Sequence, residues 1–191
     1  MPDERPLRAD AARNRAKILE AANRQIIARG PEVPMEAIAE DAGVAVGTLY
    51  RHFPTKDALV AAVLYAHFEE MTLGAEAAAD RIDAGGSALD EFTALFRFIL
   101  ENAAGNQAVK AAARSLGAPM DEDLLRGRGV RALERIIAAG ISQGDLRADM
   151  TIDDCHLFFA TAPIDQPAAV RERWFTLMMD GSRAPAARPA Q

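Results

Sequence analysis

The 191-residue sequence holds one cysteine, few aromatic residues (6%) and no long hydrophobic run. One cysteine excludes an internal disulfide framework and a cysteine-rich zinc module, and favours a reducing compartment. No apolar run approaches the roughly 20 residues of a membrane span. The first ten residues, MPDERPLRAD, are charged where a signal peptide is apolar. We therefore expect a cytoplasmic protein with no membrane partner.

The sequence also lacks the arrangements that catalysis and metal binding require. No nucleophile–base pair, phosphate-binding glycine loop or pair of catalytic carboxylates stands out. His52, His67 and His156 are scattered, and the consecutive residues 154–156 cannot converge on one ion from a helix. We predict no enzyme, cofactor or metal site, with an enzyme on a helical bundle as the rival class. Cys155 is expected to be a buried small residue, with a redox-sensing thiol as the alternative.

The net charge of −6, taken whole, argues against a nucleic-acid binder, because DNA affinity depends largely on phosphate neutralisation. The charge is unevenly distributed, however. Residues 1–60 hold nine Lys/Arg and nine Asp/Glu, so the whole acidic excess lies in residues 61–191. Residues 5–17 carry five cations and one anion, and residues 42–56 carry two cations and no acid. The first part of the chain therefore keeps local basic sites.

Apolar residues recur at helical spacing along the chain, and no run alternates long enough to suggest a sheet. About nine helices are predicted, with residues 107–116 as a separate short helix. The Gly- and Ala-rich stretch 74–86 is predicted to be the loosest connection. Thr55, Ser87 and Thr151 are predicted to cap helices.

Residues 35–56 are predicted to form a short helix, a tight turn and a second short helix. This is the helix-turn-helix geometry, in which the second helix enters the DNA major groove. Ala39 is small where the helices cross, and Gly43 can adopt the positive φ that the turn requires. Val44, Leu49 and Phe53 are expected to hold the second helix against the first.

The other side of the second helix is expected to face outward. The outward residues are Val46, Gly47, Tyr50 and Arg51. Gly47 removes a side chain where the backbone would approach a phosphate or a base edge, and Thr48, Tyr50 and His52 offer hydrogen-bonding groups. Lys56 adds a cation for phosphate. For Tyr50 and His52 the alternative is an ordinary helical surface.

The stretch IAEDAGVAVGTLYRHFPTKDALV, residues 38–60, resembles the TetR family of bacterial transcriptional repressors. The family pattern reads roughly I-A-x-x-A-G-V-S-x-G-x-L-Y-x-H-F-x-x-K-x-x-L, and nearly every fixed position is present. The resemblance covers about residues 1–65. It implies an all-α fold, in which an N-terminal three-helix DNA-binding domain is joined by a connector helix to a larger helical domain that binds an effector and dimerises.

The resemblance also implies a set of DNA-contacting residues. Together with the outward-facing Arg51, the set is Ala45, Val46, Gly47, Thr48, Tyr50, His52 and Lys56. Ala45 stands where the family usually has Ser, so a capping hydroxyl that also touches phosphate is missing. Pro34 stands where a capping Thr is common. We therefore expect weaker anchoring to the DNA backbone than is usual in the family, and an apolar contact of Val46, for example with a thymine methyl.

The predicted domains are residues 1–56, with the helix-turn-helix at 37–56, then a ligand-binding and dimerisation domain at 57–182 and a disordered tail at 183–191. The basic residues between Arg5 and Lys17 form either a solvated segment or an arm near the minor groove.

The aromatic and aliphatic residues of the second domain are expected to be mostly core, with some lining an effector cavity. The predicted cavity residues are Phe92, Phe96, Ile99, Leu124, Leu133 and Phe159, with Arg97 and His156 as candidate polar anchors. A stripe on the last two helices is the predicted dimer interface, because an exposed apolar stripe on a terminal helix indicates a partner. It comprises Phe158, Val170, Trp174, Leu177 and Met178.

Together these features predict a homodimeric repressor that binds a pseudo-palindromic double-stranded DNA operator and is released by a small, largely apolar effector. A transcriptional activator with the same DNA-binding domain is one alternative. A protein-interaction module that has lost DNA binding is another.

Overall fold

The computed structural model describes residues 4–118 and 122–185. Across these ranges the chain forms eight α-helices, and the one β-type pairing there is an isolated bridge between Leu146 and Arg183. The helices are α1 (Glu4–Arg29), α2 (Met35–Ala42), α3 (Val46–His52), α4 (Lys56–Asp83), α5 (Ala88–Ser115), α6 (Glu122–Gln143), α7 (Ile152–Ala160) and α8 (Ala168–Ser182). The all-α class is confirmed. None of the described helices is both long enough and apolar enough to cross a membrane.

Helix α4 continues to Asp83, through most of the stretch that was predicted to be a loose connection. Its small residues are core residues. Ala75, Ala78, Ala79 and Ile82 recur at helical spacing and are all buried. The prediction was wrong because alanine, unlike glycine, is the strongest helix former and favours a continuous helix. The actual connection to α5 is residues 84–87, where Gly85 has a φ of +98°.

Helix α5 is continuous where two helices were predicted, which accounts for eight helices in the described ranges instead of about nine. Gly105 lies in the middle of α5. A Cβ at this position would stand 3.0 Å from Cδ1 of Ile27 on α1. Glycine here permits a close approach of two helices and does not end the helix.

The chain packs as two compact units. The described part of the first unit is residues 4–68 and 105–118. Its core residues come from α1 to α5 and include Ile18, Ile26, Ile38, Leu49, Leu59 and Val109. This unit extends past the predicted domain boundary at residue 56, because the first turns of α4 bury Leu59, Val63 and Leu64 in the same core.

The second unit comprises residues 69–104 and 122–185 of the described chain. Six aromatic side chains from α5, α7 and α8 form a cluster at its centre. We call Phe92, Phe96, Phe158, Phe159, Trp174 and Phe175 the aromatic cluster. The ring centroid of Phe96 lies 4.2 Å from that of Phe92 and 4.8 Å from those of Phe158 and Phe159. Such stacked and edge-on pairs stabilise a core beyond their buried area.

Arginines of α6 bind carboxylates of α4 within the second unit. Arg128 binds Glu76 at 2.6 Å and Glu69 at 3.0 Å, and Arg135 binds Asp80 and Asp83. Next to Arg128, a Cβ added to Gly129 would stand 3.1 Å from the hydroxyl of the buried Thr72 on α4. The glycine in α6 therefore lets the two helices approach closely, with the ion pairs beside the crossing.

The predicted caps are confirmed. The hydroxyl of Ser87 accepts a hydrogen bond from the Asp90 amide, and Thr151 forms a capping box with Asp154. The tail predicted to be disordered from residue 183 is bonded at its start, since the Ala184 amide donates to the Asp145 carbonyl at 2.9 Å. Residues 186–191 lie outside the described ranges.

Candidate nucleic-acid interface

The turn between α2 and α3 has the geometry that the sequence predicted. Gly43 adopts a left-handed φ of +64° and ends α2. Its amide donates to the Glu40 carbonyl, and the Val44 amide donates to the Ala39 carbonyl, each at 3.0 Å. This pairing satisfies carbonyls at the helix end and reverses the chain within a few residues. A side chain at residue 43 would be strained whatever space it had, because L-residues rarely adopt this φ.

One face of α3 packs against the first unit. Leu49 is completely buried, and Phe53, directly after the helix, is also buried. Val44 packs against the same core, and Ala39 is fully buried in α2. These four residues occupy the positions expected of them, so the apolar spacing of the short helix decides which face remains outside.

The opposite face of α3 is exposed. Val46 and Tyr50, one helical turn apart, are 38% and 42% exposed, and Arg51 and Gly47 are exposed beside them. Thr48 and His52 are half-buried on its flanks. The predicted outward set therefore shares one surface, which presents an aliphatic, a phenolic and a cationic side chain with a stretch of bare backbone.

Nothing within the described protein requires glycine at position 47. Its φ is not in the left-handed region, and a Cβ added there would have no heavy atom within 4 Å apart from its own helix and chain neighbours. Glycine inside a helix destabilises it relative to alanine. The expectation that the backbone at residue 47 approaches a phosphate or a base edge stays a prediction.

Neither helix of the motif has a side-chain cap at its N-terminus. Ala45 occupies the N-cap of α3 and Pro34 the N-cap of α2, both with extended backbone and no side-chain hydrogen bond. The helical amides at these ends are left without a capping hydroxyl. The missing caps agree with the expected weaker anchoring to the DNA backbone, and that anchoring stays a prediction.

Helix α4 begins beside this surface. The Thr55 hydroxyl accepts a hydrogen bond from the Ala58 amide at 3.3 Å, which confirms the predicted cap. A hydrogen bond with Thr55 lowers the pKa of Asp57, so this carboxylate stays ionised in the first turn. Lys56 is the first residue of α4 and is half-buried.

A polar cluster ties α1 to α2. Asp41 accepts hydrogen bonds from Gln25 at 3.0 Å and from Arg24 at 3.2 Å. Both bonds lower the pKa of Asp41 below its ordinary value, and the bond from Gln25 has the larger effect. The charge of Arg24 is thus matched by a carboxylate of the same unit.

One contact in this unit has no local signal in the sequence. The guanidinium of Arg15, on α1, lies over the ring of Phe53 at 5.5 Å from the centroid. The His52 ring stands 6.3 Å from the same Phe53 ring. Residues 15 and 53 are too far apart in sequence for any helical periodicity to relate them.

The predicted effector-cavity residues are brought together in the second unit, mostly as core. Phe92 and Phe96 are fully buried and Leu133 is buried, while Ile99 and Phe159 are half-buried beside them. The side chain of Leu124 lies outside the described ones. Whether any of these residues lines a cavity stays a prediction.

Of the two candidate polar anchors, one is paired within the protein and the other is exposed to solvent. Arg97 donates to Glu172 at 2.7 Å and lies over the Phe175 ring at 4.3 Å, so its charge is already engaged. The side chain of His156 is 53% exposed and 3.9 Å from Asp153. Neither arrangement supports the anchoring role.

The residues of the predicted dimer stripe differ in their exposure to solvent. Val170 and Leu177 are 46% and 48% exposed, and Trp174 and Met178 are half-buried. Phe158 is buried in the aromatic cluster against Trp174, at 4.4 Å between ring centroids, so it is unavailable to a partner. Leu157, which is not part of the predicted stripe, is 61% exposed on α7. Leu157 directly precedes the apolar pair Phe158 and Phe159 in the sequence, and this was the signal that could have identified it.

Cys155 is completely buried. Burial, followed by the nearby negative charge of Asp154, raises the pKa of its thiol to about 12. A thiol held in this protonated form is a poor nucleophile. The arrangement supports the packing role for Cys155 over the redox-sensing alternative.

Comparison with known proteins connects these features to a family. The profile of the bacterial regulatory proteins of the tetR family matches residues 18–63. The HTH-type transcriptional repressor KstR of Mycolicibacterium smegmatis is 41% identical over 78 residues, which are 40% of this chain and 38% of that protein. The chain therefore aligns with well under half the length of this curated relative.

Two solved structures are similar over nearly the whole chain. A TetR transcriptional regulator from Streptomyces coelicolor has 29% identity and a TM-score of 0.69, covering 90% of this chain and 99% of that one. The TetR transcription regulatory protein from Mycobacterium vanbaalenii has 33% identity and a TM-score of 0.76, covering 94% of this chain and 100% of that one. With this full-length match and the helix-turn-helix in place, the chain belongs to the TetR family of bacterial helix-turn-helix transcriptional regulators.

Proposed function

We propose that the chain is a repressor that binds a pseudo-palindromic DNA operator as a homodimer and leaves it when a small, largely apolar effector binds. The observation that carries the proposal is the exposed face of α3, where Val46, Gly47, Tyr50 and Arg51 share one surface. A major groove accepts one α-helix, and the N-terminal residues of a recognition helix contact base edges. Val46 and Tyr50 would contact base edges, Thr48 and His52 would supply hydrogen bonds, and Arg51 and Lys56 would neutralise phosphates.

The repressor role is supported by the similarity to the repressor from Mycolicibacterium smegmatis. An activator would bind DNA through the same face of α3, so binding alone does not separate the two. Transcription in vitro from a promoter that contains the bound sequence separates them. Addition of the protein lowers transcript yield for a repressor and raises it for an activator.

Operator binding is tested by selection from a pool of random duplexes with the wild-type protein, followed by gel shifts on the selected duplex. Tyr50→Ala is expected to weaken binding at least tenfold, which corresponds to about 1.4 kcal/mol. Leu73→Ala is the matched control, since Leu73 is 51% exposed on α4 and outside the proposed surface. A wild-type protein that enriches no sequence and gives no salt-sensitive shift would support the alternative of an interaction module without DNA binding.

Dimerisation is supported by the exposed apolar residues on the last two helices. Val170 and Leu177 on α8 and Leu157 on α7 leave large apolar side chains in solvent. Two copies that cover these residues would present two α3 helices, which a palindromic operator requires. The double substitution of Val170 and Leu177 by Glu should give a monomer by light scattering, whereas Leu73→Glu should leave the dimer intact. A double variant that stays dimeric would place the interface elsewhere.

The effector is proposed to bind in the second unit, near the half-buried side of the aromatic cluster, where Ile99 and Phe159 lie. It would act only through a difference in its affinity for the DNA-bound and the free shapes of the dimer. In a screen of small apolar compounds, a true effector should raise the melting temperature and lower operator affinity over the same concentration range. A compound that raises the melting temperature but leaves operator affinity unchanged is not an effector.

A further inference from the structure

The basic residues of α1 fall into two classes by their surroundings. Arg13 is paired with Asp10, and Arg24 with Asp41, so the charge of each is matched inside the protein. Arg15 is exposed, and no carboxylate among the described residues pairs with it. Its contact is the face of Phe53. Arg15 therefore retains its full positive charge for an external anion.

Phe53 places this charge beside the recognition helix. The ring is buried and directly follows α3, so its position is set by the core and not by solvent. Arg15 lies over it at 5.5 Å, and the ring of His52, a predicted DNA-contacting residue, is 6.3 Å from it. One aromatic ring thus joins an arginine of α1 to the C-terminal end of α3.

A guanidinium held in this way suits phosphate. It is planar, permanently charged and weakly hydrated, it stacks on aromatic faces, and it still presents N–H donors at its edge. Restricting the long side chain before binding also reduces the entropy that is lost when a phosphate is contacted. A position flanking the recognition helix is where the sugar–phosphate backbone passes when that helix lies in the groove.

We propose that Arg15, held by Phe53, is a phosphate-binding residue of the DNA interface, an assignment that rests on the proposed operator binding. The contact is with the backbone, so it adds affinity without reading sequence. It compensates in part for the missing capping hydroxyls at Ala45 and Pro34.

The test measures operator affinity as a function of salt for Arg15→Gln and Arg13→Gln, with the duplex selected by the wild-type protein. Gln keeps a polar side chain that can still lie on the Phe53 ring and removes only the charge. Each lost phosphate contact lowers the slope of log K against log salt by about 0.9, so a dimer should lose about 1.8. The corresponding loss of affinity is about 60-fold at about 0.1 M salt and falls as salt rises.

Arg13→Gln is the matched control because residues 13 and 15 are about 200° apart around the helix axis. It should leave the salt slope unchanged, and Arg15→Lys should retain most of it because the charge remains. If Arg15 only covers Phe53, Arg15→Gln will leave the salt slope at the wild-type value, which overturns the assignment. If the wild-type protein selects no duplex, operator binding itself fails, and the assignment fails with it.

Discussion

Replacing Gly47 by alanine is expected to stabilise the folded protein and, in the same molecule, to weaken DNA binding. In the free protein the new methyl group enters open space on a helical backbone with ordinary φ. Alanine in a helix is favoured over glycine by roughly 0.5–1 kcal/mol. For a chain of this size that corresponds to a rise in melting temperature of about 1–4 °C.

The DNA complex should respond in the opposite direction. If the backbone at residue 47 approaches a phosphate or base edge, a methyl group there holds α3 away from the groove and lengthens the neighbouring hydrogen bonds. A loss of at least tenfold in affinity, about 1.4 kcal/mol, is expected. Fluorescence anisotropy with the selected duplex measures affinity, and calorimetry measures stability.

Gly181 provides the control for this prediction. It is exposed in the last turn of α8, has no positive φ, and an added Cβ meets nothing within 4 Å. Gly181→Ala should raise the melting temperature by a similar amount and leave DNA affinity unchanged. A Gly47→Ala protein that is more stable and binds as tightly as wild type would refute the close-approach argument.

Three further outcomes are expected. Ala45→Ser should tighten operator binding in a gel shift by supplying a capping hydroxyl that also reaches phosphate, and an unchanged shift would dismiss the anchoring argument. Because Arg128 lowers the pKa of Glu76 from its ordinary 4.5, this ion pair stabilises the fold above that pH and is lost as the pH falls through the depressed value. Urea unfolding should therefore separate wild type from Glu76→Gln at neutral pH, and the two should converge in acid. Cys155, with a pKa of about 12, should react with an aromatic disulfide reagent at least a hundredfold more slowly in the native than in the unfolded protein; comparable rates would show an accessible thiol.

The predictions that succeeded depend on interactions between residues close in sequence. The left-handed Gly43, the caps at Thr55, Ser87 and Thr151, and the buried pair Leu49 and Phe53 all follow from contacts within about one helical turn. Such contacts form wherever the chain is helical, so their sequence signals are reliable. The exposed set on α3 follows by exclusion, because a seven-residue helix with one face buried has only one face left.

The predictions that failed involved residues whose meaning depends on a distant neighbour. The Ala-rich part of α4 looks like a linker until α5 and α6 bury it. Residues 107–116 look like a separate helix, although Gly105, packed against Ile27, lies inside the continuous α5. Phe158 fits an exposed stripe by spacing alone, but the aromatic cluster buries it. Apolar spacing within one helix identifies its apolar face. Whether that face is buried depends on the helices that pack against it.

For this protein the sequence by itself determined the all-α class and the helix-turn-helix with its outward residues. It also located the acidic excess after residue 60. Only the tertiary structure decided which charges are neutralised internally and which stay available. Arg24 is matched by Asp41, which is 17 residues away in the sequence, while Arg15 is held over Phe53 beside α3. An ion pair or a ring contact acts over a few ångströms in space, and the distribution of charge along a sequence does not give the distances between the groups.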